Sequence, residues 1–231
     1  MISHEELVAR NLARVNETHR MDPGRTALIV IDMQRGFLDP AASLYVPSGK
    51  EILPQIRGLV QFCRESSIPV VFTEFIASPA VPSLRKDPFG PEHLEAVPDQ
   101  PTGWGWPSSS CREGSNSAES PGIVSELEPR PNEPVIKAYT LDKFYGTPLD
   151  LVLRARDIRY LMVTGLLADL CVAATVYSAN AREYRVTAIT DGITTIWPEI
   201  LHSVFNIFER KLARLMTADE AKSELREQQA R

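Results

Sequence analysis

The chain has 231 residues, 43% of them hydrophobic and 24% charged, with a net charge of −5. That is enough apolar material for one large domain with a substantial core. The acidic balance, without a dense Lys/Arg run, gives no electrostatic reason to expect nucleic acid or an anionic membrane as partner, and points to a small molecule.

The amino terminus, Met1-Ile2-Ser3-His4-Glu5-Glu6, lacks the basic-then-apolar order of a secretory signal, and no apolar run approaches the ~18 residues that span a bilayer. A cytoplasmic location is expected. Leu7, Val8, Leu12 and Val15 are spaced for an amphipathic helix over 4 to 20, ended by Asp22-Pro23-Gly24, so residues 1–25 read as a helical packing arm. Alternation then begins: a strand at 26 to 32, a helix at 51 to 66, a strand at 69 to 75, a strand at 133 to 137 and a helix at 147 to 157. A strand at 159 to 164, a helix at 170 to 183, a strand at 185 to 191, a helix at 198 to 210 and a strand at 213 to 216 follow. Thr217-Ala218-Asp219-Glu220 is a capping box opening the last helix, in the segment 217–231. Near-continuous Val/Ile/Leu strands between amphipathic helices predict an α/β fold, a parallel sheet covered on both faces.

The stretch 76–131 breaks the rhythm with prolines that include Pro79, Pro82, Pro88, Pro91, Pro98, Pro101 and Pro107, and with Trp104 and Trp106. A loop this long in a compact domain is a lid, an irregular wrap over the core or a subunit contact. Cys63, Cys111 and Cys171 are odd in number and lack CxxC or metal-finger spacing, which predicts free thiols.

Three strands run into reactive side chains: Ala27-Leu28-Ile29-Val30-Ile31 into Asp32, Val135-Ile136 into Lys137, and the run from Leu161 into Cys171. Parallel strands deliver their C-terminal ends to one edge of a sheet, where ligands bind. Cys171 precedes a helical run, where the helix dipole favours thiolate over thiol. An ammonium nearby would hold Asp32 ionised and lower the thiol pKa. Each residue alone also has an ordinary reading, as a buried cysteine, an edge carboxylate or a solvated lysine. Their joint placement at strand ends favours a site.

Ile31-Asp32-Met33-Gln34-Arg35-Gly36-Phe37 resembles the D-x-Q-x-x-F opening of the isochorismatase-like cysteine hydrolases. Thr164-Gly165 through Cys171-Val172 and Phe144-Tyr145-Gly146-Thr147-Pro148-Leu149-Asp150 are similar to that superfamily's other landmarks, over about 26 to 216. The resemblance implies a single hydrolase domain at 26–216, a doubly wound six-stranded parallel sheet, and a triad at Asp32, Lys137 and Cys171. It also implies a cis peptide at Leu166-Leu167 and an oxyanion hole from the backbone N–H groups of Leu167 and Cys171. Two departures bear on the site: Ala168 stands where many relatives carry threonine, and an extra residue before Phe144 leaves Lys143 as a rival amine. Lys137 is preferred because it ends a strand. Glu74-Phe75-Ile76-Ala77 lacks the Asp and His ligands of the nicotinamidase branch, and His4, His19, His93 and His202 have no ligand spacing, so no metal and no other cofactor are expected.

What the resemblance implies for activity is a cysteine-dependent amidohydrolase that cleaves a C–N bond of a small amide, ureido or carbamoyl compound through a thioester, releasing ammonia or an amine, with the ureido or carbamoyl class favoured. Gln34, Phe37, Phe75, Trp104, Trp106, Tyr139 and Tyr145 are candidates to line the pocket, and Arg112 or Arg85 to meet a substrate carboxylate. A homo-oligomer is expected by analogy. The alternative is a non-catalytic small-molecule-binding or redox-sensing protein on the same fold.

Overall fold

A computed structural model describes residues 1–81 and 90–230. Six parallel strands, β1 Thr26–Ile31, β2 Val70–Phe75, β3 Val135–Ala138, β4 Tyr160–Leu166, β5 Arg185–Thr194 and β6 Ala213–Met216, form one sheet in the order β3-β2-β1-β4-β5-β6. The chain builds outward from β1 to the β3 edge, then returns to place β4 on the other side of β1. That reversal is the topological switch point, and the crevice beyond the ends of β1 and β4 is where such sheets hold ligands.

Side-chain alternation assigns the two faces. Leu28, Val30, Val70, Phe72 and Met162 pack on α3 Pro47–Glu65 and α7 Ala218–Gln229. Ala27, Ile29, Ile31, Val71, Leu161 and Val163 face the other way, against α4 Leu149–Arg154, α5 Ala173–Ala181 and α6 Pro198–Ile207. β1 is buried at every position, which is why it reads as an uninterrupted apolar run. α1 His4–Thr18 opens on a Ser3/Glu6 capping box and buries none of its residues.

The differences from the sequence expectation are local. α3 starts at Pro47, ahead of 51, because a proline at the first helical position sacrifices no hydrogen bond. The helix expected over 170 to 183 is divided into a wide π-type turn, Ala168–Val172, and α5. The helix expected over 198 to 210 likewise ends at Ile207, followed by a π-type turn, Phe208–Leu212. The Thr217/Glu220 capping box forms as read.

Within the long connection, Ser108, Ser110, Cys111, Val124 and Leu127 are buried. The segment is tied over α2 Arg35–Leu38 by Gly36 N–H to Ser120 O (2.9 Å) and Val124 N–H to Met33 O (3.0 Å). These contacts hold the part from 108 to 127 against the core. Residues 82–89, Arg85 among them, lie outside the described residues. No helix among the described residues is long and apolar enough to cross a membrane.

Candidate active site

At the switch point the backbones of β1 and β4 nearly touch. Gly165 adopts φ +113, and a Cβ there would lie 1.9 Å from the Ile31 carbonyl oxygen, so only glycine fits. Beside it Asp32 leaves the strand with φ +52, a left-handed conformation that aspartate tolerates better than most residues. This turn brings its carboxylate across to Thr73, whose hydroxyl donates to Oδ1 at 2.6 Å. Asp32 and Thr73 are both fully buried.

The ammonium facing this carboxylate belongs to Lys143. Its Nζ lies 2.7 Å from Asp32 Oδ2, and both side chains are 0% exposed. The contact is an ion pair; Oδ2 accepts no aligned hydrogen bond. Lys137, the residue preferred from the sequence, is elsewhere. β3 is an edge strand with an outward-inward alternation that leaves Lys137 exposed, paired in register with Glu74. Its charge acts on Glu74, whose pKa burial raises and Lys137 partly lowers. The loop after β3 supplies the amine instead. Asp142 accepts from Phe144 N–H (2.8 Å) and Ser178 Oγ (2.8 Å), Thr147 Oγ1 donates to the Lys143 carbonyl (2.5 Å), and Nζ reaches Thr140 O (3.4 Å). Burial opposes the Lys143 charge, but Asp32 and the Cys171 sulfur outweigh it and hold the ammonium above its ordinary pKa.

Cys171 lies in the turn before α5 and is 6% exposed. Its sulfur interacts with both Asp32 and Lys143. Thr175, one helical turn on, donates to the Cys171 carbonyl (2.7 Å) and accepts the Lys143 N–H (3.3 Å), so one hydroxyl joins the two segments. The helix-end preference for thiolate meets an opposing effect here. Burial pushes the thiol's pKa up, and the Lys143 charge offsets only part of that. The peptide bond Leu166-Leu167 is cis.

Several candidate pocket residues are already engaged. Gln34 is fully buried, its amide donating to Phe75 O (3.0 Å) and Pro121 O (2.5 Å) and accepting from Phe75 N–H (2.9 Å), so it braces β2. Phe37 is buried and stacks on Trp104 at 6.5 Å, and the Trp104 indole donates to Tyr45 O. Arg112 pairs with Glu95 at 3.6 Å. Trp106 and Tyr145 are each 52% exposed, and Tyr139 is half-buried. Phe75 lies beside this cluster, its ring 5.3 Å from Lys143 Nζ. An open groove of about 1090 Å³ between α2, α3 and the segment 123–129 is lined by none of Asp32, Lys143 and Cys171. Among the described residues no three His, Cys, Asp or Glu side chains are grouped to hold a metal ion.

Sequence reading missed Thr73 and Thr175. Each carried a signal: Thr73 pairs in register with Ile31, next to Asp32, and Thr175 lies four residues beyond Cys171 on one helix face. A buried carboxylate, ammonium and thiol grouped in this way are chemically able to pass one proton and free a nucleophile.

The profile of the Isochorismatase domain family matches residues 26–220. The ureidoacrylate amidohydrolase RutB of Pseudomonas syringae pv. syringae is 29% identical over 224 residues, covering 86% of this chain and 83% of its own. The cysteine hydrolase structure from Pseudomonas syringae pv. phaseolicola superposes with a TM-score of 0.74 at 22% identity, covering 90% of this chain and 96% of that one. The N-carbamoylsarcosine amidase structure from Thermoplasma acidophilum gives a TM-score of 0.65 at 25% identity, covering 84% and 97%.

Proposed function

The chain belongs to the isochorismatase family and is a hydrolase of C–N bonds, and from that premise we propose that it is a cysteine-dependent amidohydrolase acting on a small ureido, carbamoyl or amide compound. The observation that carries this reading is the sealed contact of Lys143 Nζ with Asp32 Oδ2 at 2.7 Å beside the Cys171 sulfur. The substrate class is supported by the activities that name two relatives, ureidoacrylate amidohydrolase and N-carbamoylsarcosine amidase.

Asp32 takes the Cys171 proton as substrate binds, and Lys143 steadies the negative charge that passes between them. The thiolate attacks the carbonyl carbon, forming the C–S bond. The oxyanion is assigned to the backbone N–H groups of Leu167 and Cys171, a role worth about 3 kcal/mol per donor. Asp32 returns the proton to the leaving nitrogen as the C–N bond breaks, and ammonia or an amine departs. Water, deprotonated by the same carboxylate, then cleaves the thioester and restores the thiol.

Ammonia release from a panel of small ureides, carbamoyl compounds and amides tests this directly. The expected result is release by the wild type and a loss of roughly 10³-fold or more in Cys171→Ala. Turnover that survives loss of the thiol, or no release from any of these compounds, refutes the reading.

A further inference from the structure

The two oxygens of Asp32 have different surroundings. Oδ1 accepts the Thr73 hydroxyl at 2.6 Å, while Oδ2 faces Lys143 Nζ at 2.7 Å and accepts no aligned hydrogen bond. Thr73 Oγ1 also accepts the Asp32 backbone N–H at 3.2 Å, so the side chain and backbone of Asp32 are held by one hydroxyl. That hydroxyl has no freedom to be elsewhere. Thr73 is in β2, in register with Ile31 of β1, its carbonyl accepting the Asp32 backbone N–H at 3.3 Å, and both Thr73 and Asp32 are fully buried. By strand alternation Thr73 shares its face with Val71, which packs in the cluster that contains Cys171 and Phe144.

A carboxylate with both oxygens equally available can rotate and present either to the thiol. Here Oδ1 holds a hydrogen bond from Thr73, while Oδ2 faces the Lys143 charge on the side where the Cys171 sulfur also interacts. We infer that Thr73 is a positioning residue for the hydrolysis: by holding Oδ1 it leaves Oδ2 as the oxygen that takes the proton from Cys171 and returns it to the leaving nitrogen. A donor aimed at the charged form of an acid also favours that form, because the hydrogen bond to an anion is stronger than the one to its neutral counterpart. This inference rests on the amidohydrolase reading above.

The test compares wild type, Thr73→Val, which keeps the shape and removes the hydroxyl, and Thr73→Ser, which keeps it. Two readouts are needed: the pH profile of kcat/KM for ammonia release, and the titration of the Asp32 carboxyl carbon by NMR of ¹³C-labelled aspartate, assigned with Asp32→Asn. In Thr73→Val the acid limb of the profile and the carboxyl midpoint both move up by roughly one to two pH units, kcat falls with KM little changed, and Thr73→Ser restores all of it. Should the valine variant fold poorly, Thr73→Ala supplies the same comparison. A lower rate with an unmoved acid limb and an unmoved carboxyl midpoint overturns the inference, since a merely structural threonine would act that way. Absence of ammonia release in the wild type refutes the amidohydrolase reading instead, and the carboxyl titration, which needs no substrate, still decides whether Thr73 governs Asp32.

Discussion

Replacing each lysine in turn separates the two candidates for the site's ammonium. Lys143 is 0% exposed and 2.7 Å from an equally buried carboxylate. Lys143→Met fills the volume but strands Asp32 without its counter-charge, and breaking a buried pair in this way costs about 3–5 kcal/mol. For a domain of this size each kcal/mol lowers Tm by about 2–4 °C, so a drop of roughly 6–20 °C is expected. Ammonia release falls as well, by roughly 10²–10³-fold, since a preorganised charge at the reacting groups is lost. Lys137 is exposed on the edge strand β3, where a substitution stays within about 0.5 kcal/mol, so Lys137→Met melts within about 2 °C of wild type and keeps its rate. The assays are differential scanning fluorimetry and ammonia release on the same preparations. A Lys137→Met enzyme that is dead while Lys143→Met is stable and active would refute the reasoning.

Cys171 alkylation by iodoacetamide, followed by peptide mass spectrometry, reads its ionisation. Because burial raises the thiol's pKa, its rate in the free enzyme goes on climbing beyond the ordinary thiol value of ~8.5, and a plateau below that pH contradicts the placement. Glu133 gives a pH dependence of stability. Burial works against its carboxylate, but Arg64, bonded at 2.8 and 2.7 Å, wins and holds the pKa below the usual glutamate range. A depressed acid stabilises the fold above its unfolded value of ~4.3, and the contribution disappears as pH falls through the lower folded value. The Tm gap between wild type and Glu133→Gln is thus constant above about pH 5 and closes below about pH 4; a gap that widens in acid would reverse the sign.

The fold was largely legible because buried parallel strands leave an unmistakable trace: β1, β2 and β4 are apolar runs bounded by turns, and the alternation with helices leaves few topologies. Asp32 and Cys171 were legible for the same reason, each following such a run, and the structure brings them together at the switch point. Lys143 was not. Strand-end logic points to Lys137, but on an edge strand alternation turned that side chain to solvent, and the residue that enters the site comes from a loop whose shape depends on Thr140, Asp142, Thr147 and Thr175. No periodicity encodes a loop held by such bonds. Gln34 and Phe37 have internal contacts that the sequence does not display, for a related reason. A polar or aromatic side chain beside a motif looks available for ligand, whereas Gln34 had backbone groups of β2 to satisfy and Phe37 had Trp104 to cover.

The central claim is that Cys171 becomes acylated during turnover. Intact-protein and peptide mass spectrometry of wild type, acid-quenched within milliseconds of mixing with whichever ureide or amide releases ammonia, measures this directly. The account predicts a mass increase equal to the substrate's acyl part, located on Cys171 and absent from Cys171→Ala. Turnover with no adduct at any quench time, or an adduct on another residue, would contradict it.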